Sequence, residues 1–156
     1  MAEERFREEQ WFPRFVGILV GGLSAAAAIS MLAARSLQPA WVRSLLGSAG
    51  ALLGATGAVA PMRTEVNDEG LTVTFGLPAW IRFHIPAGEI RHVEAVSYRP
   101  LAEFGGWGIR FGMDGTRAYN ARGDRGVRIE TTRRRFLVGS QRPAELAEAL
   151  RAVAGG

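Results

Sequence analysis

The alternation of hydrophobic and polar positions changes character once along the chain, at Met62. Before that point two apolar runs carry no charge, Phe15 to Ala34 and Ser44 to Met62. A helix needs roughly 20 predominantly apolar residues to cross about 30 Å of hydrocarbon, and the first run meets that length. The second is rich in Gly and Ala and is the weaker span. Between them Arg35 to Arg43 supplies Pro39, Trp41 and two charges, the composition of a short turn at headgroup level. The pattern predicts a two-helix transmembrane hairpin over 15–62, preceded by a segment 1–14. A cleaved leader fits less well, because segment 1–14 is acidic as well as basic and the run exceeds the usual apolar stretch of about 7–15 residues.

Small residues recur every four positions in both runs, at Gly17 and Gly21 and again at Gly50 and Gly54. Such stripes allow helix backbones to approach closely, either within the hairpin or against a second copy or a partner helix. Neither run holds an Asp, Glu, His or Arg at mid-depth, which argues against a transporter or channel. Arg5, Arg7, Arg14, Arg63 and Arg82 flank the runs on the outside, against Arg35 and Arg43 in the turn. That bias predicts a multi-pass protein of the cell membrane with both termini and the C-terminal domain cytoplasmic.

After Met62 the period becomes two, as in strands with one face on a core. Arg63 to Val66 and Leu71 to Phe75 flank the turn residues Asn67 to Gly70, and Trp80 to Ile85 alternates again. Further strands are predicted at Ile90 to Tyr98, Trp107 to Phe111, Arg117 to Asn120, Val127 to Thr131 and Arg135 to Gly139. Pro143 then opens a helix with Leu146, Leu150 and Val153 on one face. About seven antiparallel strands forming a curled sheet or small barrel, closed by a C-terminal helix, make an α+β domain over 63–156.

Composition narrows the chemistry. The chain has no cysteine, which excludes disulfides, thiolate metal sites and a cysteine nucleophile. Every cationic Lys/Arg position is Arg, so Schiff-base chemistry and a P-loop lysine are excluded as well. Tyr98-Arg99-Pro100, Gly105 to Arg110, Arg117 to Asn120, Gly126-Val127 and Gly139 to Pro143 form short, Gly-punctuated blocks ahead of the final helix. In these blocks the soluble half resembles bacterial membrane-anchored proteins with a PH-like domain. The resemblance implies a PH-like fold and a membrane anchor, and brings no catalytic residues with it.

His84, His92, Glu89 and Glu94 are the only grouping that suggests metal or acid–base work, and their spacing on separate strands favours ordinary cross-strand pairs. Gly105-Gly106-Trp107-Gly108 leads into a strand rather than a helix, so it reads as a bulge or a close backbone approach, not a phosphate cradle. Arg122, Arg125, Arg128 and Arg133 to Arg135 would make a basic face if their hairpins lie together, suited to anionic lipid headgroups. No stacking motif or reader helix supports nucleic-acid binding. The expected recognition surface is Tyr98, Arg99, Arg110 and Tyr119, supported by Arg128, because a guanidinium beside tyrosine rings can bind carboxylate or phosphate. The expected function is a membrane-anchored binding or scaffolding module without catalytic, metal or cofactor site. Its expected partners are the lipid bilayer and a homo-oligomer or membrane-protein partner. An accessory subunit of a membrane complex and an enzyme of unrecognised class are the alternatives.

Overall fold

A computed structural model of the chain describes residues 4–13, 22–27, 29–30, 41–42, 48, 61–76 and 79–155. Two compact units divide it, one formed by Met1–Trp11 with Pro61–Gly156 and one by Phe12–Ala60. In the second unit, residues 22–27, 29–30, 41–42 and 48 are helical. Among the described residues no helix is long and apolar enough to cross a membrane. That finding overturns the expected two-helix transmembrane hairpin, and with it the multi-pass placement in the cell membrane. The physical reason lies in length and in the end of the second run. The helical stretches described within the two runs are at most six residues long, against the roughly 20 a span needs, and Pro61 and Met62 belong to a strand. Gly17, Gly21, Gly50 and Gly54, expected to pack helices, lie outside the described residues.

The first unit holds nine strands in two sheets among the described residues, where about seven were expected. Sheet one is an antiparallel meander of β1 (Glu4–Trp11), β2 (Pro61–Asn67), β3 (Gly70–Phe75) and β4 (Ile81–Pro86). Segment 1–14 therefore supplies an edge strand to the domain, with Phe6 opposite Val66 and Gln10 opposite Met62. The alternation rule misses β1 because two of its three inward residues, Glu8 and Gln10, are polar.

Sheet two contains β5 (Ile90–Ser97), β6 (Gly108–Phe111), β7 (Arg117–Asn120), β8 (Arg125–Thr131) and β9 (Arg135–Gly139), in the order β5-β8-β9-β7-β6. It is not wholly antiparallel. β7 pairs with β9 in parallel, Tyr119 opposite Val138. The chain reverses after β7 and again after β8, so β7 and β9 must run the same way once they become neighbours. A short helix α1 (Pro100–Phe104) joins β5 to β6, with proline in its first turn and Gly105 ending it at φ 70°.

The closing helix α2 (Pro143–Ala154) buries Leu146, Ala147, Leu150 and Val153. Leu146 and Leu150 are fully buried, as are Met62, Val66, Leu71 and Val73 of sheet one and Val127, Ile129 and Val138 of sheet two. Each such side chain contributes about 1.5–3 kcal/mol by leaving water. Phe83 of β4 stacks on Tyr119 of β7 with ring centroids 4.4 Å apart, joining the sheets directly. β1 is fastened to the β9–α2 junction by polar contacts. The Glu8 carboxylate accepts from Ser140 Oγ and from the Gln141 backbone N–H, and Gln10 Nε2 donates to the Gly139 carbonyl at 2.8 Å.

Candidate functional site

Strand register decides which predicted residues share a surface. Glu94, Arg128, Leu137, Ala118 and Arg110 stand opposite one another from β5 across to β6 and form one row on the outer face of sheet two. α1 covers the middle of that face, where Tyr98, Phe104, Ala118 and Leu137 form a buried cluster with Val96 against it. The Tyr98 ring meets Phe104 edge-on at 6.0 Å. Its hydroxyl lies over Gly139, where an added Cβ would stand 2.8 Å from Asn120 Cβ and 3.2 Å from the Tyr98 oxygen. Burial raises the Tyr98 pKa above the ordinary phenol value, with the Asn120 side chain opposing the shift.

Tyr98 is thus a core residue, and so is Tyr119, which sits between Phe83 and Phe136 on the opposite face of the sheet. Burial likewise raises the Tyr119 pKa, opposed by Arg117. Both rings belong to the fold, and the expected surface of tyrosines beside arginines is not assembled. A tyrosine in a short alternating strand reads as half-exposed only if one face of the sheet is open, and here both faces are covered.

The arginines remain outside. Arg110 is exposed, and its Nε donates to the Trp107 carbonyl at 3.1 Å, not to a carboxylate. Arg99 is exposed at the start of α1, where its backbone N–H donates to Glu103 Oε1 at 2.7 Å. Arg128 is half-buried beside a cavity of about 210 Å³ lined by Glu103, Phe104, Met113, Asp114 and Thr116. His84 lies on β4 with Nδ1 3.1 Å from Thr72 Oγ1, whereas His92 lies on β5 in the other sheet. Among the described residues no three His, Asp or Glu side chains converge as metal ligands.

No family model, curated protein or solved structure matches the chain. The site is therefore built from its own geometry alone.

Five of the six arginines of the expected basic face divide between two ends, and the sixth, Arg128, lies midway along β8. Arg122 and Arg125 lie where β8 begins, and Arg133 to Arg135 where β9 begins, with the seven residues of β8 between them. At about 3.4 Å per residue this separates the two groups by roughly 20 Å. The second group is the more organised. Thr131 Oγ1 accepts the backbone N–H groups of Arg133 and Arg134 at 3.3 and 3.1 Å and donates to the Arg134 carbonyl at 3.0 Å. Arg135 turns back to Asp114, bonding its carbonyl at 3.1 Å and facing its carboxylate at 3.6 Å. Arg133 and Arg134 are exposed, and among the described residues no carboxylate reaches ion-pair distance of either. A cavity of about 410 Å³ lies between this turn and Asp114-Gly115. No hydrophobic pattern signals this arrangement, but the sequence Thr131-Thr132-Arg133 between two strands does, since a Thr hydroxyl two or three residues back can hold a turn.

Asp114 anchors the facing turn. The Thr116 backbone N–H and hydroxyl both bond its carboxylate, at 3.0 and 2.8 Å, and these bonds, ahead of Arg135, hold its pKa below the ordinary value. Replacing Thr116 by valine removes the hydroxyl bond and should move the Asp114 pKa part of the way back up, as read by NMR titration. The sign follows from linkage. With the pKa depressed in the folded state, the stabilisation is present above the ordinary Asp value and fades as pH falls through the lowered one. An unmoved Asp114 titration would show that the hydroxyl is not a cause of the shift.

Proposed function

We propose that this chain is a non-catalytic binding module whose β8–β9 turn engages phosphate or carboxylate groups presented by an anionic partner. The observation that carries this reading is the pair Arg133 and Arg134, unpaired with any carboxylate among the described residues, on a backbone already fixed by Thr131. A turn ordered in advance loses little further entropy on binding, and a guanidinium offers paired donors that fit either anion. The kinship with bacterial PH-like domains belongs to the same proposal. It is supported by an antiparallel meander, a second sheet and a closing helix in that order.

The test is binding of the full chain to phosphatidylcholine vesicles with and without about one-third phosphatidylserine. Each arginine near an anionic surface contributes about 1 kcal/mol, so the double substitution Arg133→Gln/Arg134→Gln should weaken binding about thirtyfold. Arg122→Gln/Arg125→Gln, at the opposite end of β8, should leave it unchanged. Equal binding to charged and neutral vesicles would overturn the proposal.

A further inference from the structure

We infer that the free edge of β6 is a docking site for an extended peptide strand in which acidic and apolar residues alternate. β6 is the last strand of its sheet, and among the described residues no strand pairs with its outer edge. The hydrogen-bonding sense of that edge follows from the register. Gly112 N–H donates to the Thr116 carbonyl at 2.8 Å, which makes that position a bonded one. Alternation then makes Arg110 opposite Ala118 bonded too, so Ile109 and Phe111 direct their N–H and C=O groups outward. Two consecutive outward positions can receive an added strand through main-chain hydrogen bonds, with side chains choosing the partner.

The side chains around the edge differ between the two faces. Phe111 is 65% exposed, and the Arg117 guanidinium stands 5.5 Å from its ring centroid. Ile109 lies on that same face, because it is two residues away on the strand. Arg110 points to the opposite face, with only Nε engaged by the Trp107 carbonyl. Glu103 and Asp114 are already committed, Glu103 to the Arg99 N–H and Asp114 to Thr116 and Arg135. An incoming strand thus meets an apolar position on one face and a cation lacking a carboxylate on the other. The fitting occupant alternates an apolar residue against Ile109 and Phe111 with a carboxylate against Arg110.

Charge also disfavours a second copy of the chain in the register that uses both outward positions. That antiparallel register, which pairs Ile109 with Phe111 of another copy, sets the two Arg110 side chains directly opposite, where like charges are destabilising.

This inference rests on the binding-module reading but uses a surface apart from the β8–β9 turn, so the two can fail separately. Amide hydrogen exchange of the full chain is measured with the peptides acetyl-(Glu-Val)₄-amide, acetyl-(Lys-Val)₄-amide and acetyl-(Glu-Glu-Val-Val)₂-amide. The first, at a concentration about ten times its Kd, should slow exchange at Ile109 and Phe111 about tenfold. The other two should protect these amides little. Arg110→Glu should reverse the preference between the Glu and Lys peptides, and Phe111→Pro, which an edge strand tolerates, should abolish protection at Ile109. Arg133→Gln/Arg134→Gln should leave the protection intact. Equal protection by all three peptides, none by any, or protection appearing without peptide as the chain self-associates would each overturn it.

Discussion

Replacing Gly70 by alanine should remove about 4 kcal/mol of folding stability, the sum of two costs of roughly 1–3 kcal/mol each. The first is conformational. Gly70 opens β3 at φ 134°, a region that side chains rarely adopt. The second is steric, because an added Cβ would press on the Ile85 carbonyl oxygen and stand 2.7 Å from the Ala87 nitrogen. Both are backbone atoms of the β4 end, tied down by the bond from Ala87 N–H to the Glu69 carbonyl at 2.9 Å. No side chain can turn aside to make room. The entropy that alanine removes from the unfolded chain returns only about 0.4–1 kcal/mol. Gly88 is the control, since nothing lies within 4 Å of its added Cβ and its φ is not positive. Urea denaturation should show a large fall in midpoint for Gly70→Ala and none for Gly88→Ala. A Gly70→Ala protein within 1 kcal/mol of the parent would refute the steric argument.

Gly70 also shows what local sequence can convey. Asn67-Asp68-Glu69-Gly70 between two alternating runs announces a hairpin, and the Asn67 side chain accepts the Glu69 N–H at 3.1 Å within it. β3, β4, β8 and β9 are legible for the same reason, with one set of alternate residues apolar. Helix α1 was not read from the sequence, because Pro100 at its first turn and Gly105 just past its end enclose only five residues, too few to show a helical period. Its presence changes the candidate site. By covering the outer face of sheet two it turns Tyr98 from a surface residue into a core one. The pairing of β7 with β9 was not legible, because strand order depends on which edges find each other in space. That order is what leaves β6 at the edge and exposes Phe111. The separation of the arginines into two ends had the same origin. Their closeness in sequence concealed that β8 runs between them.

The polar inner positions of β1 define the remaining large effect. Glu8→Ala should destabilise the domain by about 3–4 kcal/mol, since two hydrogen bonds to a charged group are lost, each worth about 1.5–3 kcal/mol, and the surroundings relax only in part. Glu8 is 8% exposed, and its two oxygens serve the Ser140 hydroxyl and the Gln141 N–H separately. Removing the carboxylate leaves both donors beside the start of α2 with no acceptor. Glutamine keeps one carbonyl oxygen and should cost about 1–2 kcal/mol, less than alanine because one of the two donors retains its acceptor. A hydrophobic replacement of like size would recover burial but not register. Phe6 is the one apolar residue among the three inward positions of β1, so sliding the strand by two residues costs little apolar contact while removing Glu8 from Ser140 and Gln10 from the Gly139 carbonyl. Buried polar groups of this kind fix one alignment among several that burial alone would accept. The distinguishing measurement is amide exchange. In Glu8→Ala the amides of Phe6, Glu8 or its replacement, and Gln10 should exchange faster than those of β8, as β1 opens ahead of the core. Uniform acceleration across both sheets would mean that Glu8 supports the whole domain evenly, and an unchanged denaturation midpoint would show that the latch contributes nothing.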